Sequence, residues 1–133
     1  MKPNIDQVAK VWIELCNFNQ DTEEHEDRFW AWEFLNDSVD EQPNIAWETI
    51  LLVLDKTDSK KVIGNLGAGP LEDMMCRQDK FTLNKIESEL KGNKKLKECM
   101  SHVWLDKEDT GLYKTFYDLV GLEPPLKTNS EIT

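Results

Sequence analysis

The sequence predicts an all-α domain of about seven short helices in antiparallel pairs, packed as a bundle or as a curved, HEAT-like array. Apolar residues recur at helical spacing almost throughout the chain, and strand signals are scarce. One ten-residue stretch, IAWETILLVL, is apolar at eight positions. A helix apolar nearly all round needs other helices around it. The 133 residues suit one domain and are enough to bury a core.

The first helix is expected over about 5–17, where Val8, Val11, Trp12 and Leu15 fall on one face. The second should begin near Asp21, with the Asp21 side chain capping free amides and Glu24 reaching back. It carries FWAWEF and fades around Asp37 and Ser38. Pro43 opens the third, because a missing N–H costs nothing in a first turn. The fourth spans about 60–78, interrupted by GAGP. A fifth runs over about 82–91 and stops at Gly92-Asn93. The sixth carries Leu96, Cys99, Met100, Val103 and Trp104. The seventh covers about 110–120, giving one helical domain over 1–120. Residues 121–133, GLEPPLKTNSEIT, lose the periodicity and read as an extended or flexible tail.

GNLGAGPLED (64–73) has the glycine content of a phosphate cradle but not its chemistry. Pro70 removes an amide, and Glu72 and Asp73 would meet a phosphate with charge of its own sign. The G-K-[ST] of a P-loop is missing, and no strand precedes the glycines. The stretch reads instead as architecture. Pro70 forces a kink or restart, while Gly67 and Gly69 allow a neighbouring helix close, the expected neighbour being IAWETILLVL.

AWETILLVL, NLGAGPLEDMM, KIESEL and HVW together resemble a family of uncharacterised bacterial helical domains. That family combines an AWELIL-like helix, an A-G-P-L-E-D-L-L motif, an I-E-x-E segment and a closing V-W. The likeness covers about 29–104, with Met74 and Met75 where leucines are usual. It implies an all-helical fold related to HEAT-type repeats, and no activity.

Charge is the most informative property of the composition. The net charge is −10, and all of it lies in residues 1–55, with thirteen acids against three bases; the remainder balances. Residues 21–41 hold Asp21, Glu23, Glu24, Glu26, Asp27, Glu33, Asp37, Asp40 and Glu41 against Arg28 alone. Such a field repels nucleic acid and draws a cationic partner, although acidic helices also serve simple solubility. Within FWAWEF, Trp30 and Phe34 share one side of the helix and Phe29 and Trp32 another. Burial between two neighbours is the expected fate. Exposure of Trp30 or Trp32 would instead set an aromatic anchor beside the acids.

No stretch is apolar enough to span a membrane, and the N-terminus lacks a signal peptide's apolar segment, so a cytosolic protein is expected. Cys16, Cys76 and Cys99 are odd in number and widely spaced, and read as reduced core thiols. His25 and His102 have no partner at metal-ligand spacing, and no cofactor motif is present. Nothing couples a nucleophile to a base, so no enzyme is expected.

These features point to a non-enzymatic immunity protein. It would occlude the basic, nuclease-type toxin domain of a contact-dependent or polymorphic toxin system. The nine acids of 21–41 and Trp30 form the candidate binding set. A helical adaptor or scaffold that grips a peptide in a groove is the alternative.

Overall fold

A computed structural model of the chain describes residues 4–106, 108 and 111–121. These residues form α1 (Ile5–Leu15), α2 (Glu23–Glu41), α3 (Pro43–Lys56), α4 (Lys60–Leu66), α5 (Glu72–Arg77), α6 (Asp79–Glu89), α7 (Lys94–Met100) and α8 (Tyr113–Val120). A π-helical turn, Gly67–Leu71, joins α4 to α5 without a break. Counted as one interrupted helix, that run brings the described residues to the expected seven, with no strand among them. The tail after Gly121 and the predicted start at Thr110 lie outside the described residues.

Local chemistry sets most boundaries. Asn4 caps α1 by accepting from the Asp6 N–H at 2.7 Å. The cap of α2 is Thr22 rather than Asp21: its hydroxyl accepts from the His25 N–H at 3.2 Å. α2 does not fade at Ser38: Ser38 and Val39 are buried on its inner face, and the Ser38 hydroxyl is satisfied by donating to the Phe34 carbonyl at 2.8 Å. Helix and cap therefore run on to Gln42, directly before Pro43 opens α3. The sixth predicted helix, α7, starts from an Asn93 cap and stops at Met100, so Trp104 lies beyond it. Gly121 ends α8 in the left-handed conformation, at φ 75°.

α1, α2 and α3 pack on one another, and α2 and α3 carry contacts onward to the π turn, α5, α6 and α7. α3 buries Ala46, Trp47, Ile50, Val53 and Leu54, which makes it the inner helix that its composition demands. Its C-terminal carbonyls are held by Lys95, whose ammonium donates to the Leu54 and Thr57 carbonyls at 3.1 and 2.7 Å and pairs with Asp58 at 2.9 Å. α8 is tied down through buried Tyr117. Its hydroxyl donates to the Val103 carbonyl at 2.8 Å and accepts from the Leu105 N–H at 3.0 Å. Among the described residues no helix is long and apolar enough to cross a membrane.

GAGP is architectural in a way the sequence only half discloses. The chain neither breaks nor restarts: it widens into a π turn, with the Glu72 N–H reaching the Gly67 carbonyl five residues back. This wider turn accommodates buried Pro70 inside a continuous helix. The close neighbour is α7 rather than α3. A Cβ on Gly67 would lie 2.1 Å from the Cys99 carbonyl oxygen, whereas one on Gly69 would meet nothing within 4 Å. Gly67→Ala is therefore expected to cost about 2 kcal/mol or more, because backbone must move. Gly69→Ala should leave stability unchanged or raise it by up to ~1 kcal/mol. Urea denaturation of both variants checks the pair.

Candidate functional site

α2 has an inner and an outer face. Inside, Ala31, Leu35, Ser38 and Val39 are buried against the neighbouring helices. Two arginines clamp the helix to the rest of the domain. Arg28 Nε donates to Glu14 Oε1 of α1 at 3.0 Å, and its guanidinium carbon lies 4.5 Å from the centre of the Phe18 ring. Arg77 of α5 donates to Asp40 Oδ2 at 2.7 Å and Asn36 Oδ1 at 2.9 Å, with Asp73 at 3.6 Å. Next to it, the Gln78 side-chain amide donates to the Val39 carbonyl at 3.1 Å.

All nine acids of the candidate set, and Trp30, are exposed. Asp40 has the Arg77 bond to serve and is a structural residue. Among the described residues, the other eight make no ion pair. Around the helix axis Glu26, Trp30, Glu33 and Asp37 follow one another on the outer face, at helical spacing. Asp27 turns toward the inner side, and Asp21 lies before the helix begins.

The acids at the two ends of α2 differ physically. Glu23, Glu24 and Glu26 occupy the first turn, where the helix dipole favours negative charge. Asp37, Asp40 and Glu41 approach the C-terminus, where the dipole disfavours it and no basic residue lies in the last turn. Arg77 offsets that cost for Asp40 only.

The expected burial of FWAWEF does not occur. Phe29, Trp30 and Trp32 are 36, 38 and 40% exposed, because the buried stripe of α2 follows Ala31, Leu35 and Val39 instead. Phe29 and Trp32 stack at 5.1 Å with a 14° interplanar angle, and His25 adjoins Phe29 at 5.9 Å. Phe34 is half-buried and packs against the core. A shallow, open depression is lined by Asp21, His25, Glu26, Phe29, Trp30 and Glu33, so rings and carboxylates share one surface. Sequence reasoning weighed exposure of Trp30 or Trp32 but not of Phe29. Helical position relative to Ala31 and Leu35 carried that signal.

Elsewhere the chemistry is quiet. Burial pushes the Cys99 thiol up to about 12 and raises that of Cys16, against the hydrogen bond from Asn65, so neither thiol is poised as a nucleophile. The cysteines are free, but only Cys99 belongs to the core: Cys16 is half-buried and Cys76 exposed. Among the described residues no three of His, Cys, Asp and Glu converge to hold a metal ion. Glu72 of the GAGPLED stretch has a structural task, its carboxylate accepting from the Trp104 N–H at 2.8 Å. Removal from water raises the Asp73 carboxyl above its ordinary value; Arg77 opposes the rise and Asp40 adds to it.

The profile of a family of unknown function, DUF6869, matches residues 18–116. The chain belongs to DUF6869. That match spans the clamped α2, the π turn and the first half of α8. Comparison with curated proteins and with solved structures gives no match.

The raised Asp73 value has a consequence for stability. The folded chain keeps this proton to higher pH than the unfolded chain, so the group's contribution to stability falls as pH rises above 3.8 through the folded value. Asp73→Asn should therefore lose less stability than the natural chain between about pH 4 and pH 7, as read from urea midpoints. A steeper fall in the variant would contradict the assignment.

Proposed function

We propose that the chain is a non-enzymatic, immunity-type inhibitor that docks a cationic protein on the outer face of α2. The partner in this reading is a basic nuclease toxin domain of a contact-dependent or polymorphic toxin system, and inhibition is occlusion of its nucleic-acid site. One observation carries the proposal. Among the described residues, the same helix exposes seven carboxylates that make no ion pair, with Asp21 just before it, and three large aromatic rings. Acids guide a cationic surface in and set its orientation, while rings supply the contact area of an interface centre. Folding alone does not require Asp37 and Glu41 near a helix C-terminus or three partly exposed rings in four residues. We read Ala68–Met75 as the family's structural motif, which serves this surface indirectly by fixing α5.

The adaptor reading has an observation of its own. An open groove runs beside α1, α3 and α7, with Ile5, Leu51 and Leu52 as its apolar lining. It is flanked by charges of both signs, Glu48, Asp55 and Lys95 among them, which suits a partner of no particular charge.

Co-expression with the protein encoded immediately upstream, followed by affinity measurement at two salt concentrations, separates the readings. The inhibitor reading expects one-to-one binding that weakens with salt. Trp30→Ala should cost about tenfold or more in affinity, and joint replacement of Glu26, Glu33 and Asp37 by lysine should slow association most at low salt. Binding indifferent to salt and to α2, but lost with Leu51→Asp, would favour the groove.

A further inference from the structure

The docking surface just described holds more information than its sign. We propose that the outer face of α2 recognises arginine specifically: a guanidinium group of the partner stacks on Trp30, beside the Phe29–Trp32 stack, while Glu26 and Glu33 accept its N–H donors. This rests on the reading of α2 as the surface for a cationic protein, and it names the group that surface selects.

The geometry supplies rings and carboxylates at interleaved positions. Glu26 and Trp30 are four residues apart on one helix, Phe29 and Glu33 four apart, and Trp30 and Glu33 three apart, so each ring has a carboxylate as its surface neighbour. All four residues line the same depression with Asp21 and His25. Among the described residues, no lysine or arginine of the chain pairs with Asp21, Glu26 or Glu33, and none lies over Phe29 or Trp30.

The inner side of the same helix displays the completed unit. Arg28 lies 4.5 Å from the centre of the Phe18 ring while its Nε bonds Glu14 at 3.0 Å, one guanidinium satisfying a ring and a carboxylate together. The lysine counterpart in this chain is looser, Lys85 Nζ lying 5.6 Å from the centre of Phe81. The reason is general. A guanidinium is flat and weakly hydrated, so its face can lie on a ring while its edge bonds a carboxylate. An ammonium is compact and strongly hydrated, and gains little from the ring unless it gives up water. A surface of acids alone would respond to charge; rings set among the acids favour the guanidinium.

Oligo-arginine and oligo-lysine peptides of equal length test this on the intact chain. Affinity is read by anisotropy of a labelled peptide at low and at physiological salt, and indole N–H resonances report the place of binding. The arginine peptide should bind about tenfold tighter and shift the Trp30 indole but not that of Trp104. Phe29→Ala with Trp30→Ala should bring the affinity ratio close to one, and Glu33→Gln should weaken the arginine peptide while leaving the helical signal intact. These side chains are exposed, and far-UV circular dichroism verifies that each variant folds. Equal affinity for the two peptides, or a preference for arginine that survives loss of the rings, overturns the guanidinium proposal and leaves cationic docking standing. Failure of both peptides to bind at low salt overturns the docking reading as well.

Discussion

The contact on which this architecture turns is the approach of the π turn to α7. At Gly67 there is room for a hydrogen and nothing larger, since a Cβ there would fall 2.1 Å from the Cys99 carbonyl oxygen. That contact fixes where α5 emerges from the interrupted helix. Glu72 can then accept from the Trp104 N–H, and Arg77 can reach back to Asp40 and Asn36. The orientation of α2 is thus set in part by a glycine on another helix. At the opposite end Arg28, held by Glu14 and Phe18, supplies the second clamp.

α2 is held to the domain by two arginines, and its outer acids other than Asp40 make no ion pair among the described residues. Its buried stripe is narrow and built from small and aliphatic residues, and its large rings are partly covered and partly exposed. Exposed single hydrophobic residues are ordinary on protein surfaces, but Phe29, Trp30 and Trp32 fall within four consecutive residues. Together with acids placed against the helix dipole near Glu41, they put large rings and carboxylates on one helix.

Much of the fold was legible in the sequence because its signals are local. Pro43 at a helix start, the all-round apolar α3 and the stop near Gly92-Asn93 each follow from chemistry within a few residues. Misread features depend on distant partners. The choice of α7 rather than α3 beside Gly67 is a tertiary fact with no periodic trace. The persistence of α2 beyond Asp37 goes with the burial of Ser38 and Val39 against distant helices, which local propensity does not show. For the candidate surface, charge clustering singled out the acids of 21–41, all of which are exposed. It could not separate Asp40, engaged by Arg77, from Glu33 and Asp37, which make no ion pair. Nor could it place Phe29 and Trp32 outside, since an aromatic run is equally suited to a core between two neighbours.

The claim that the outer face of α2 is where a partner docks can be tested residue by residue with fluorine-labelled tryptophan. The five indoles divide cleanly: Trp12 and Trp47 are buried, Trp30 and Trp32 lie exposed on α2, and Trp104 is exposed elsewhere. Fluorine spectra would be recorded free and in complex with the partner captured by co-expression, in ordinary and heavy water. The account predicts that the Trp30 resonance shifts and loses its solvent-isotope effect, while Trp12, Trp47 and Trp104 stay as they were. A complex in which Trp30 keeps its solvent signature would contradict it.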